Sequence, residues 1–222
     1  MYSKFNYLRY LYYIAENYIY IKQMQSVENK IELSIKKQGK GKIFSAFNFF
    51  KFADNNSIHV ALMKLTKSGL LVRLANGIYL YPKLNKYVGV VYPSLDEIAK
   101  VIAKRDKARI VPTGVYALNV LGLSTQVPLN AVYLTDGSQR RVKIYDGHGI
   151  LFKKTSPKNL AYNSDLIMLI VSALKEIGES KVTDEQYKIL KEKLVQEDKN
   201  VVIRDISLAP DWIRSLILKM YE

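Results

Sequence analysis

The chain has 222 residues, 49% of them apolar, a formal net charge of +14 and no cysteine. That length sets a prior of one or two domains with enough apolar residues for a real core, and the missing cysteines exclude disulfides, thiolate metal sites and a cysteine nucleophile. The excess of Lys and Arg favours a polyanionic partner, nucleic acid before an acidic membrane surface, the alternative being a solvated lysine surface.

Only two histidines are present, His59 and His148, far apart in sequence, which argues against a His-rich zinc site. No run of about 18 apolar residues occurs, so no membrane span is expected, and residues 1–25 lack the small-residue cleavage pattern of a secretory signal. The expectation is a cytoplasmic protein without metal or cofactor. Residues 1–25 hold seven of the 17 tyrosines, in a Tyr/Ile/Asn/Lys mixture of the kind AT-rich DNA yields when translated upstream of a true start. Met24 is a candidate start; an amphipathic helix and an extension packing on a partner are the competing readings.

From Ser26 the pattern becomes orderly, and residues 26–93 read as one domain. "SVENKIELSIKKQG" places Val27, Ile31 and Ile35 on one helical face with Gly39 as a stop. The basic loop "GKGK" follows; it lacks the four-residue spacer and the Ser/Thr of a phosphate-binding loop. "FSAFNFFKF" (44–52) is a short aromatic segment, read as a second short helix with Phe47 and Phe50 in the core. "DNNSIHVALMKLTKSG" (54–69) predicts a helix capped by Asp54, Asn55 or Asn56. Ile58, Ala61, Leu62 and Leu65 line its apolar face, and Gly69 ends it.

"LVRLANGIYLYP" (71–82) reads as a hairpin. Asn76-Gly77 fits a type I′ turn, which needs positive φ at both residues. Pairing outward sets Ala75 against Ile78, Leu74 against Tyr79, Arg73 against Leu80 and Val72 against Tyr81. Val72, Leu74, Tyr79 and Tyr81 then share one face and Arg73 points the other way.

Three short helices followed by a hairpin is the winged helix-turn-helix plan, in which the last helix enters the DNA major groove and the wing reaches backbone or minor groove. The charge is distributed accordingly: residues 26–93 hold 11 Lys and Arg against 3 Asp and Glu. Asn56 and His59 face away from the apolar stripe at the helix start, where they can reach base edges. Ser57, Lys64 and Lys67 are candidates for phosphates, Lys40 and Lys42 for backbone anchors, and Arg73 with Asn76 for wing contacts. His59 reads equally as a solvated surface residue, and some winged-helix modules bind proteins instead of DNA.

Residues 94–222 read as a mixed α/β domain, so the whole chain is of α+β class. "PSLDEIAKVIAKR" opens with a capping box, Ser94 with Glu97. Residues 108–128 give a short strand, a helix and a loop. Segments 131–137, 140–147 and 149–157 alternate as strands. Helical segments are expected near 160–177, 183–197 and 208–221. No GxSxG, HExxH or Gly-rich phosphate loop appears. Asp136 and Asp146 precede glycines, as turn-making Asp residues do. Asp146 with Lys153-Lys154 is faintly nuclease-like but lacks a Glu-x-Lys companion. Arg140, Arg141, Lys143, Lys153 and Lys154 read as a basic patch or a solvated sheet face. No catalytic residue is expected.

The blocks "ALMKLTKSGLLVRLANGIYLYPK" (61–83), "PSLDEIAKVIA" (93–103), "GLSTQVP" (122–128), "VYLTDG" (132–137), "FKKTSPKNL" (152–160) and "LAPDWIR" (208–214), in this order over residues 26–222, resemble the AbiEi family of antitoxins from type IV toxin–antitoxin systems. That resemblance implies an N-terminal winged helix-turn-helix joined to a C-terminal antitoxin domain. It implies binding to inverted repeats in double-stranded DNA at the chain's own promoter, autorepression, and a nucleotidyltransferase-like toxin that is opposed without a stable complex. Helix 54–68 and wing 71–81 carry over as DNA-binding elements; no catalytic motif does. The Tyr-rich residues 1–25 depart from the family pattern. A protein-interaction module that never meets DNA is the alternative, and a nucleic-acid enzyme using the C-terminal strands is the third reading.

Overall fold

The computed structural model describes residues 13–14 and 26–221; the candidate start Met24 and the rest of the Tyr-rich stretch lie outside the described residues. The chain is of α+β class and divides into two compact units at Pro93/Ser94.

In the N-terminal unit, helix α1 (Val27–Gln38) starts at Ser26, whose hydroxyl accepts the Asn29 N–H at 3.1 Å. Strand β1 (Ile43–Ser45) and a 3-10 turn (Ala46–Phe49) precede helix α2 (Asn55–Lys67). Then come β2 (Val72–Ala75) and β3 (Ile78–Leu80). The sheet order is β1-β3-β2, antiparallel throughout. Ile31 and Ile35 of α1 meet Ile58, Ala61, Leu62 and Leu65 of α2 in one core with Phe44, Phe49 and Tyr79. Both helical faces are therefore those the 3.6-residue period selects.

Three details of this unit depart from expectation. The second helical element is a four-residue 3-10 turn, not an α-helix. Its core aromatics are Phe44 and Phe49, stacked at 5.8 Å between ring centroids. Phe47 and Phe50 are half exposed and pack edge-on against each other. The cause is β1: it pairs Phe44 with Tyr79, which points Phe44 inward and turns the following residues by the 3-10 period.

The third departure is the hairpin register. Ala75 faces Ile78, but Arg73 faces Tyr79 and Val72 faces Leu80, with a bulge between Arg73 and Ala75. Leu74 is the extra residue and is buried. Gly77 alone takes a positive φ, 70°, and Asn76 does not, so the turn is not type I′. Because β3 is central, Ile78, Tyr79 and Leu80 are all buried rather than alternating. A second, separate hairpin, β4 (Lys83–Asn85) and β5 (Gly89–Val91), follows.

The C-terminal unit opens with α3 (Leu95–Asp106), where the Ser94/Glu97 capping box is formed. Strands β6 (Ile110–Thr113), β7 (Asn130–Thr135), β8 (Arg140–Lys143) and β9 (Gly149–Lys154) are ordered β6-β7-β9-β8, and only β7 and β9 run parallel. The short helix α4 (Val115–Val120) follows β6. On β7, Ala131, Tyr133 and Thr135 are buried. The Tyr133 hydroxyl donates to Asp96 of α3 at 2.9 Å, and burial raises its pKa. Leu134 packs instead against the helical core.

Four helices close the unit where three were expected: α5 (Asp165–Ile177), α6 (Asp184–Leu194), α7 (Lys199–Ile206) and α8 (Asp211–Lys219). Helix α7 escaped the apolar pattern because its buried side includes Asp205, fully enclosed. That carboxylate accepts the Asn163 N–H (2.8 Å), the Asn163 side-chain amide (2.7 Å) and the Ser164 N–H (2.7 Å).

Candidate nucleic-acid interface

Helix α2 begins at Asp54, whose carboxylate accepts the N–H groups of Asn56 (2.9 Å) and Ser57 (3.1 Å). The Ser57 hydroxyl donates to the same carboxylate at 2.6 Å. These bonds, led by the Ser57 hydroxyl, hold the Asp54 pKa below its ordinary value. Ser57 is thus committed to the helix cap. Gly69, at φ 78°, lets the chain leave the helix and enter β2 three residues later.

With one face of α2 in the core, the opposite face carries Asn56, His59, Val60, Met63, Lys64 and Lys67, all exposed. Their spacing of three and four residues makes one continuous stripe, about 20 Å long on a 13-residue helix at ~1.5 Å per residue. Asn56 and His59 stand at its start, two apolar side chains in the middle and lysines at its end. Lys64 leans toward α1, where its Nζ lies 3.3 Å from Glu28 Oε2.

Arg73 is held in place by its own turn. Arg73 Nη2 donates to Asn76 Oδ1 at 2.9 Å, and Arg73 Nε reaches the Ala75 carbonyl at 3.4 Å. Both side chains are exposed.

Lys40 and Lys42 sit elsewhere. The Gly41 N–H donates to the Tyr81 carbonyl (2.7 Å) and the Tyr81 N–H to the Lys42 carbonyl (2.9 Å). This fixes the basic loop at the Tyr81 end of the sheet, about 10 Å of strand from Ile78 and the Asn76-Gly77 turn. The residues singled out in the sequence therefore fall in three places: the outward side of α2, the β2–β3 turn with Arg73 and Asn76, and the loop at the far end of the sheet. Phe47, Phe50 and the exposed β4–β5 hairpin, with Leu84, Tyr87 and Val88 bare, were not singled out as surface features; only the structure reveals them.

In the C-terminal unit the nuclease-like grouping is not assembled. Asp146 lies in the β8–β9 turn at φ 54°, whereas Lys153 and Lys154 stand at the other end of β9. Asp136 accepts the Arg109 N–H at 2.8 Å. Arg140 pairs with Asp106 and lies over the Phe152 ring; burial, then the neighbouring Arg105, lowers its pKa. Arg141 and Lys143 are exposed on edge strand β8. Among the described residues no group of three His, Asp or Glu is placed to hold a metal ion, and no helix is long and apolar enough to cross a membrane.

Residues 30–202 match a family of unknown function (DUF6088). The chain belongs to that family. The DUF6088 span runs from within α1 into α7, so it includes the outward face of α2, both hairpins and the whole four-stranded sheet. No match was found among curated proteins.

Proposed function

We propose that residues 26–93 are a winged helix-turn-helix that binds double-stranded DNA, with α2 in the major groove and the β2–β3 hairpin as the wing. The observation that carries this reading is the exposed stripe of α2, in which Asn56 and His59 start a face that ends in Lys67, within a unit holding 11 Lys and Arg against 3 Asp and Glu. Asn56 and His59 read base edges; Lys67 and Arg73 position the protein on phosphates. The resemblance to AbiEi proteins extends the reading. The chain represses its own promoter at an inverted repeat and is the antitoxin of a type IV pair, acting in the cytoplasm against a nucleotidyltransferase-like toxin without a stable complex and without catalysis of its own. Co-expression with the adjacent gene tests this: growth restored by the full chain, with no co-purification of the two products, is the expected result. Growth arrest that the chain does not relieve would remove the antitoxin role.

A second reading, a protein-interaction module, is favoured by Val60 and Met63, half exposed in the middle of the α2 stripe. Co-purification with a neighbouring gene product, without affinity for DNA, distinguishes it.

A further inference from the structure

Between Glu32 and Asp96 the sequence holds ten Lys and Arg and a single acid, Asp54. Lys64 and Lys67 belong to the α2 stripe and Arg73 to the wing. Lys40, Lys42, Lys83 and Lys86 belong to neither, and among the described residues none of the four lies in an ion pair. The chain nevertheless brings them together. The bonds from Gly41 and Lys42 to Tyr81 hold the basic loop at the end of β3, and Lys83 opens β4 two residues beyond Tyr81, a reach of about 7 Å. Val72 faces Leu80 at this same end of the sheet, and β2 follows α2 by way of Gly69. The β4–β5 hairpin therefore emerges at the lysine end of the α2 stripe.

Among the described residues β4 and β5 pair only with each other, and a lone two-stranded hairpin is marginal in water. Every residue of β4 is exposed, and the tip is barer still: Tyr87 is 81% and Val88 72% accessible. The tip is also fixed in shape. Asn85 Oδ1 accepts the N–H groups of Tyr87 (2.8 Å) and Val88 (3.3 Å), and Lys86 Nζ stands 4.6 Å from the Tyr87 ring centre. A bare apolar patch of this kind marks an interaction site. Its cations select the partner: a second copy would set lysine against lysine, whereas a polyanion neutralises all four. Apolar side chains flanked by cations are what proteins place in the DNA minor groove.

We propose that the β4–β5 hairpin and the Lys40–Lys42 loop form a second contact to double-stranded DNA, flanking the groove that α2 occupies. Lys83 and Lys86, with Lys40 and Lys42, bind phosphates; Tyr87 and Val88 enter the minor groove. This rests on the DNA-binding reading of α2 and the β2–β3 wing and extends its footprint.

The test is hydroxyl-radical footprinting of the full chain on the duplex upstream of its own gene, with anisotropy titrations at several salt concentrations. Three forms are compared: the parent chain, Tyr87→Ser with Val88→Ser, and Lys83→Gln with Lys86→Gln. All four positions are exposed, so the fold is retained. The parent is expected to protect a central segment and a flanking one. Both double variants lose the flanking protection, keep the central one, and bind about tenfold more weakly with an unchanged preference for this duplex over a scrambled one. The lysine pair also lowers the salt slope by about 2, one unit for each phosphate contact. A flanking footprint, affinity and slope equal to the parent's in both variants overturn the proposal and leave α2 recognition standing. So does a hairpin effect seen only in the oligomeric state or only in binding to phosphatidylserine vesicles. No footprint from the parent itself overturns the α2 reading, and this proposal with it.

Discussion

The Arg73 guanidinium donates to the Asn76 side-chain carbonyl at 2.9 Å, across the β2–β3 turn. The cation is thereby presented at the hairpin tip instead of sweeping solvent, which lowers the entropy lost on meeting a phosphate. Arg73→Ala is expected to weaken binding to all DNA sequences alike and to reduce the salt slope by about 1, one phosphate contact fewer. Anisotropy titrations at several salt concentrations read this directly. An unchanged slope removes Arg73 from the phosphate contacts.

Lys64 is held by Glu28 at 3.3 Å, so part of its charge is spent inside the protein. Glu28→Gln is expected to tighten DNA binding about two- to fivefold at low salt, the range set by the ~0.5–1 kcal/mol of a partly exposed pair. Weaker or unchanged binding in the same titration would place Lys64 outside the interface.

Asn56→Ala and His59→Ala are expected to lower discrimination between the preferred duplex and a scrambled one, by ~1–3 kcal/mol for each lost base contact. Affinity for the scrambled duplex stays as it was. Discrimination that persists in both variants excludes these residues from base readout.

Asp54 caps α2 through three hydrogen bonds, and its pKa in the fold lies below the ordinary 3.8. A carboxyl depressed by folding contributes stability that is complete above its unfolded pKa and fades as pH falls through the folded value. The melting-temperature gap between the parent chain and Asp54→Ala is therefore expected to be constant at pH values well above the ordinary 3.8 and to narrow as pH falls below it. A gap independent of pH would mean the carboxylate charge does not act at the cap.

Asp205 is buried on α7 and takes two backbone N–H groups and one side-chain amide from Asn163 and Ser164. Asp205→Ala orphans these donors and is expected to destabilise the C-terminal unit by ~3 kcal/mol or more; Asp205→Asn, which keeps an acceptor, costs less. Urea unfolding followed through Trp212 measures both. A loss under ~1 kcal/mol would show that water replaces the carboxylate.

Periodicity made much of this legible. Ile31 and Ile35, and the Ile58/Ala61/Leu62/Leu65 stripe, are buried as their spacing demands, and because they are, the outward residues Asn56 and His59 could be named in advance. Capping chemistry located Ser94 with Glu97. Features set by tertiary pairing were not legible. Strand β1 has three residues, too few to show alternation, yet it decides which phenylalanines are core. The bulge at Leu74 depends on β3 being central, and a local reading of Asn-Gly cannot see that. Helix α7 hides behind the buried polar Asp205. Lys40 and Lys42 are near the helices in sequence, but the bonds between Gly41, Lys42 and Tyr81 place them at the far end of the sheet.

DNA recognition by α2 is the central claim, and the most direct measurement is fluorescence anisotropy of the full chain on the DNA upstream of its own gene, against a scrambled duplex across a salt series. The predicted result is a preference for the upstream DNA of about 10³ or more, with affinity falling steeply as salt rises. Equal binding to both duplexes would reduce the N-terminal unit to a generic basic surface, and no binding to either would contradict the DNA-binding assignment outright.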